Sequence, residues 1–131
     1  MQLHAHGGHE FLVHKEIIVI KAYDAWNLEH TKAYFKAFKA LVKELDHDKW
    51  GVLVDFRLFR GSTPEVVQYF NSTIIPWSIN NGQVARAHLI SDSLIKYLVE
   101  QSAKENTSLP VAVFETREAA FAWFRQFDLN V

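Results

Sequence analysis

Two arginines, two hydroxyls and a glycine crowd together between Asp55 and Pro64, in the run D-F-R-L-F-R-G-S-T-P. Arg57 and Arg60 offer guanidinium forks that match a carboxylate or phosphate, and Ser62 and Thr63 offer hydroxyls. Thr63-Pro64-Glu65 reads as a helix start, with Thr at the cap, Pro at the first helical position and an acid in the first turn. The free N–H groups of such a start attract negative charge. Together these residues predict a site for a small anionic ligand. Trp26, Phe56 and Phe59 would supply an apolar wall, which widens the class to lipid-like amphiphiles. A purely structural use competes with this reading: Ser62 and Thr63 cap the helix, while the arginines sit in solvent or pair with Asp55.

Other residues carry weaker chemistry. Asp55, at the end of an apolar run, has the position of a general base, and a small hydrolase using it is the enzymatic alternative. A lone carboxylate with no paired acid or histidine is more often neutralised by an arginine or a backbone donor. His4, His6 and His9 could present imidazoles to a transition metal, but no Asp, Glu or Cys motif completes a site, so no metal is expected. His88 lies within an apolar strand and reads as a hydrogen-bonded core or rim histidine. Lys32, Lys36, Lys39 and Lys43 recur at helical spacing and read as a solvated helix face. Phosphate-loop, dinucleotide, nucleophile-elbow and zinc-protease patterns are absent. The expectation is a protein that binds and does not catalyse, without a cofactor.

These residues need elements to hold them. Residues 1–9 read as a flexible His-rich leader and 10–131 as one domain. An opening hairpin turns at His14-Lys15-Glu16. Asn27 caps a helix over Leu28–Leu45, whose stripe is Leu28, Tyr34, Phe35, Phe38, Leu41, Val42 and Leu45. Gly51–Val54 is a strand buried on both faces, followed by a polar loop from Asp55 to Ser62. The second helix starts at Thr63 and should kink or break near Ile75, because Pro76 lacks an N–H and crowds the preceding turn. Val84–Ile90 is a third core strand, with a Ser91/Asp92 cap and a helix over Ser93–Lys104. Val111–Glu115 is the last strand, and Thr116 caps the last helix. Strand–helix alternation after a hairpin predicts an α/β fold with a mixed, mostly parallel sheet of about five strands and about four helices.

Composition sets the outer bounds. The chain is 49% hydrophobic, with ten Phe and four Trp, which suits one well-packed domain. A formal charge of −1 provides no field for nucleic acid. The absence of Cys rules out disulfides and thiolate metal sites. No apolar run is long enough for an integral membrane segment, and the N-terminus lacks a signal-peptide layout, so a cytoplasmic location is expected. A homodimer is compatible with so aromatic a small domain.

In this order the chain resembles the SpoIIAA-like proteins, a branch of the STAS superfamily that is also similar to the CRAL-TRIO lipid-binding fold. The residues that carry the resemblance are the hairpin, Trp26-Asn27 before the first helix, Trp50–Asp55, Thr63-Pro64, and the closing V-A-V-F-E-T-R-E-A-A-F-A-W-F of Val111–Phe124. The resemblance spans about Phe11 to Phe127 and implies a small bacterial regulatory domain. Such a domain would bind a partner protein or a small anionic or lipid-like ligand. In the anti-sigma antagonists the loop after the corresponding strand carries Asp-Ser-Ser-Gly, and its Ser is phosphorylated by a partner kinase. Here the aligned loop is Arg60-Gly61-Ser62-Thr63-Pro64. A hydroxyl remains without the flanking Asp or the following Gly, which leaves a phosphorylation-dependent switch at Ser62 or Thr63 as the alternative function.

Overall fold

Ile17–Ile20 and Trp50–Val54 are apolar without alternation, and both lie inside a sheet, covered on its two faces. The computed structural model describes residues 8–91 and 109–131. Strands β1 (Gly8–His14), β2 (Ile17–Trp26), β3 (Trp50–Ser62), β4 (Gln83–Leu89) and β5 (Val111–Phe114) form one sheet in the order β1-β2-β3-β4-β5. The first pair is antiparallel and the other three are parallel. This is the mixed, mostly parallel α/β sheet that the strand–helix alternation predicts. The hairpin begins at Gly8, so Gly8 and His9 belong to β1 and not to a loose leader. The Gly8 carbonyl accepts a hydrogen bond from Trp26 Nε1 at 3.1 Å.

Helix α1 (Leu28–Leu45) opens where Asn27 Oδ1 accepts from the His30 N–H at 2.8 Å, and closes at Asp46 in the left-handed conformation. It lays Tyr34, Phe35, Phe38 and Val42 on one sheet face, over Ile18, Ile20, Trp50, Val52 and Val54. Full burial of each such aliphatic side chain contributes about 1.5–3 kcal/mol relative to exposure. Thr31 joins that stripe although it is polar, because its hydroxyl donates back to the Asn27 carbonyl.

Helices α2 (Pro64–Tyr69) and α3 (Ile75–Asn80) cover the same face and are joined by a π turn over Phe70–Ile74. The Ile75 N–H donates to the Phe70 carbonyl, five residues back, just before Pro76. The predicted kink near Ile75 is therefore present, in the form of a widened turn. Helix α4 (Arg117–Phe124), capped by the Thr116 hydroxyl, packs the opposite face. Its Ala120 and Phe124 meet Ile17, Val19, Leu53, Ala85, Ala87 and Leu89. The helix expected over Ser93–Lys104 and its Asp92 cap lie outside the described residues.

The turn into β4 depends on Gly82, at φ 111°. A Cβ there would stand 2.5 Å from the Asp48 carbonyl oxygen and 3.0 Å from Trp50 Nε1. Gly82→Ala should therefore cost about 2 kcal/mol, read as a lower midpoint in chemical denaturation. An unchanged midpoint would mean the turn relaxes freely.

Candidate functional site

The expected loop from Asp55 to Ser62 is strand. β3 runs 13 residues, and beyond Asp55 it continues to pair with β2 through Leu58, Phe59, Gly61 and Ser62. Among the described residues its other edge has no partner beyond Asp55, where β4 pairs last, through Leu89. The result is a ribbon that extends past the body of the sheet, with Arg57, Leu58 and Arg60 exposed. Register shifts between Lys21 and Tyr23 and between Asp24 and Ala25 absorb the extra residues of β3. Asp24 takes φ 60° and Gly61 φ 113° at these irregularities.

A surface cleft of about 560 Å³ opens on this ribbon. β1 contributes Glu10, β2 contributes Lys21, Tyr23 and Asp24, and β3 contributes Arg57, Leu58, Phe59 and Arg60. Arg57 is committed within it: Nε donates to Asp55 Oδ1 at 3.0 Å, and Nη2 donates to Asp55 Oδ2 at 2.8 Å. The Arg57 N–H also donates to Oδ1 at 3.0 Å. Partial burial pushes the Asp55 carboxyl up, but these bonds, with the charges of Arg57 and Lys21, outweigh it and hold the pKa below the ordinary 3.8. A carboxylate so held is a poor base. Burial, then Glu10 and Asp24, raise the Tyr23 phenol above its ordinary value.

Three of the residues expected at the site, Arg57, Phe59 and Arg60, line the cleft. Trp26 does not. It is 5% exposed, ringed by His9, His30, Tyr34, Phe59 and Phe70, and it belongs to the core. Phe56 is half-buried between Phe59 and His88. Ser62 and Thr63 are exposed at the end of the ribbon and do not line the cleft. Thr63 occupies the cap position but makes no side-chain capping bond; its carbonyl accepts from the Val66 and Val67 N–H groups. The helix that follows it is only six residues long.

Of the histidines considered as metal ligands, His4 and His6 lie outside the described residues, and His9 Nδ1 sits 3.2 Å from His30 Nε2. No group of three or more metal-ligating side chains occurs among the described residues. Nor is any helix among them long and apolar enough to cross a membrane.

Sequence reasoning passed over Arg86 and misjudged His88. Both are buried in the middle of β4, at 8% and 7% exposure. His88 is in the core as expected, but neither ring nitrogen is hydrogen-bonded. Arg86 Nε is likewise unpartnered, and no carboxylate pairs with the guanidinium among the described residues. Burial, then the neighbouring Arg86 charge, depress the His88 pKa to about 3. The signal was present in the sequence: a cation inside the apolar run V-A-R-A-H-L-I.

No family model and no curated protein matches this sequence. Solved structures do. An uncharacterised protein of the DUF3478 family from Shewanella loihica PV-4, with a SpoIIAA-like fold, aligns at TM-score 0.67 and 13% identity. The alignment covers 94% of this chain and 98% of that one. The anti-sigma factor antagonist SpoIIAA, in its unphosphorylated form, aligns at TM-score 0.61 and 11% identity over 90% and 98% of the two chains. The chain has a SpoIIAA-like fold.

Proposed function

We propose that this protein is a non-enzymatic regulatory module that docks a partner protein on the β1–β3 cleft. The observation that carries the reading is the lining of that cleft. Leu58, 58% exposed, stands among charges of both signs: Lys21 and Arg60 against Glu10 and Asp24, with Arg57 neutralised by Asp55. An exposed apolar residue within a balanced charged rim fits a polypeptide better than a free anion, which would need uncompensated positive charge. The likeness to an anti-sigma factor antagonist supports the same class of function. With both Asp55 oxygens engaged by Arg57, the cleft offers no free carboxylate base at that position.

A photo-crosslinking side chain at position 58, introduced in the cells the protein comes from, tests this. It should yield a discrete adduct that Arg60→Glu suppresses, while the same probe at the exposed Glu44 on α1 yields none. Equal labelling at positions 58 and 44, or an adduct indifferent to Arg60→Glu, would remove the cleft as a docking surface. A small anionic or lipid-like ligand held by Arg60 and Lys21 would instead appear as thermal stabilisation by phosphate or phosphatidylglycerol vesicles that Arg60→Ala abolishes.

The switch reading has one observation in its favour: Ser62 and Thr63 are both solvent-exposed where the ribbon meets α2. Phosphate charge there would act on docking through the neighbouring Arg60. Ser62→Asp and Thr63→Asp should then change the yield of the position-58 adduct, and an unaltered yield in both variants would exclude it.

A further inference from the structure

The guanidinium of Arg86 and the imidazole of His88 lie two residues apart in β4. Both are more than nine-tenths buried; Arg86 Nε and both His88 ring nitrogens have no hydrogen-bond partner, and no carboxylate pairs with Arg86 among the described residues. Their surroundings are aromatic. The Phe70 ring lies 5.8 Å from Arg86 Cζ, the Phe56 ring packs edge-on against His88 at 5.1 Å, and Tyr34 is a polar neighbour of Arg86. The cation–π contact with Phe70 offsets only part of the cost of burying a guanidinium that has no counter-charge among the described residues, so an apolar residue at position 86 would serve packing better. The unmet donors call for an acceptor-rich group, and the charge calls for an anion.

We propose that Arg86 and His88 form an interior oxyanion site, separate from the surface cleft, that takes the carboxylate or phosphate head of a small ligand. The guanidinium fork would hold two oxygens, and the imidazole N–H would donate to one of them. Phe56 and Phe70 supply apolar contact for what is attached to the head. Both rings are only half-buried, so each borders the surface as well as the site.

Thermal shift and calorimetry with sodium phosphate, sodium acetate and sodium decanoate test this. The parent should gain thermal stability and bind at least one of the three. A response to phosphate or acetate identifies a free oxyanion as sufficient, and a response to decanoate alone identifies the head of an amphiphile. Arg86→Met should melt higher than the parent in the absence of anion and should bind the same probe about thirtyfold more weakly or worse. Arg60→Ala, in the surface cleft, should bind it as the parent does, which separates this site from the docking surface. In the parent, nuclear magnetic resonance of the His88 ring should shift on titration, a readout that does not depend on any variant folding. No binding of any probe, a parent-like response from Arg86→Met, or a silent His88 ring would each overturn the proposal.

Discussion

Between pH 7 and pH 4 the protein should lose about 3 kcal/mol of folding stability that a His88→Phe variant keeps. The sign follows from the two states. Unfolded, His88 takes up a proton near its ordinary 6.5, whereas folded it does so only near 3. The unfolded chain therefore binds more protons across that window. The stability associated with neutral His88 is complete above the ordinary value and declines as pH falls towards 3. Each unit of pH in the window is worth about 1.4 kcal/mol. Asp55, whose pKa is lowered in the fold, acts in a different window: its contribution is present above 3.8 and is lost only below it. Denaturation by urea at pH 7, 6, 5 and 4 separates the two. His88→Phe keeps the ring against Phe56 and removes both unpartnered nitrogens, so it should be at least as stable as the parent at pH 7. A variant that follows the parent's pH slope would show that His88 is reached by water or paired.

Trp50→Ala should cost about 3–5 kcal/mol. Trp50 is fully buried at the start of β3, edge-on to Phe38 at 5.6 Å, with Nε1 donating to the Asn81 carbonyl at 2.9 Å. Alanine would leave a cavity between α1 and the sheet and would strip a carbonyl of its donor at the turn that Gly82 forms. Trp50→Phe retains most of the volume and loses the bond, so its cost should be about 1–2 kcal/mol. Equilibrium denaturation distinguishes the two contributions. If both variants cost the same, the hydrogen bond and not the volume holds this corner together.

Both predictions concern the sheet interior, where sequence and structure agree unevenly. Helix α1 was legible from end to end because its signals are local: Asn27 as cap, a 3.6-residue stripe and a polar run from Asp46 that ends it. Pro76 announced the distortion before it, because the loss of one N–H acts within a single turn. The second half of β3 was not legible. Arg57, Arg60 and Gly61 in succession look like a loop unless a neighbouring strand is known to run alongside, and β2 supplies that ladder from more than thirty residues away. Trp26 was misplaced for the same reason. Nothing next to it in the chain says that His9, Phe59 and Phe70 will surround it.

By itself, then, the sequence determined the order in which strands and helices follow one another among the described residues, and hence the mixed α/β sheet, but not how far β1 and β3 run. Apolar periodicity, caps and proline act over a few residues and need no partner. Only the tertiary structure decided that β3 outruns β4, that Leu58 and Arg60 share a cleft with Glu10 and Lys21, and that Arg86 and His88 are buried against aromatic rings. Those outcomes depend on strand lengths and on which faces are covered, and both are set by pairing between residues far apart in the chain.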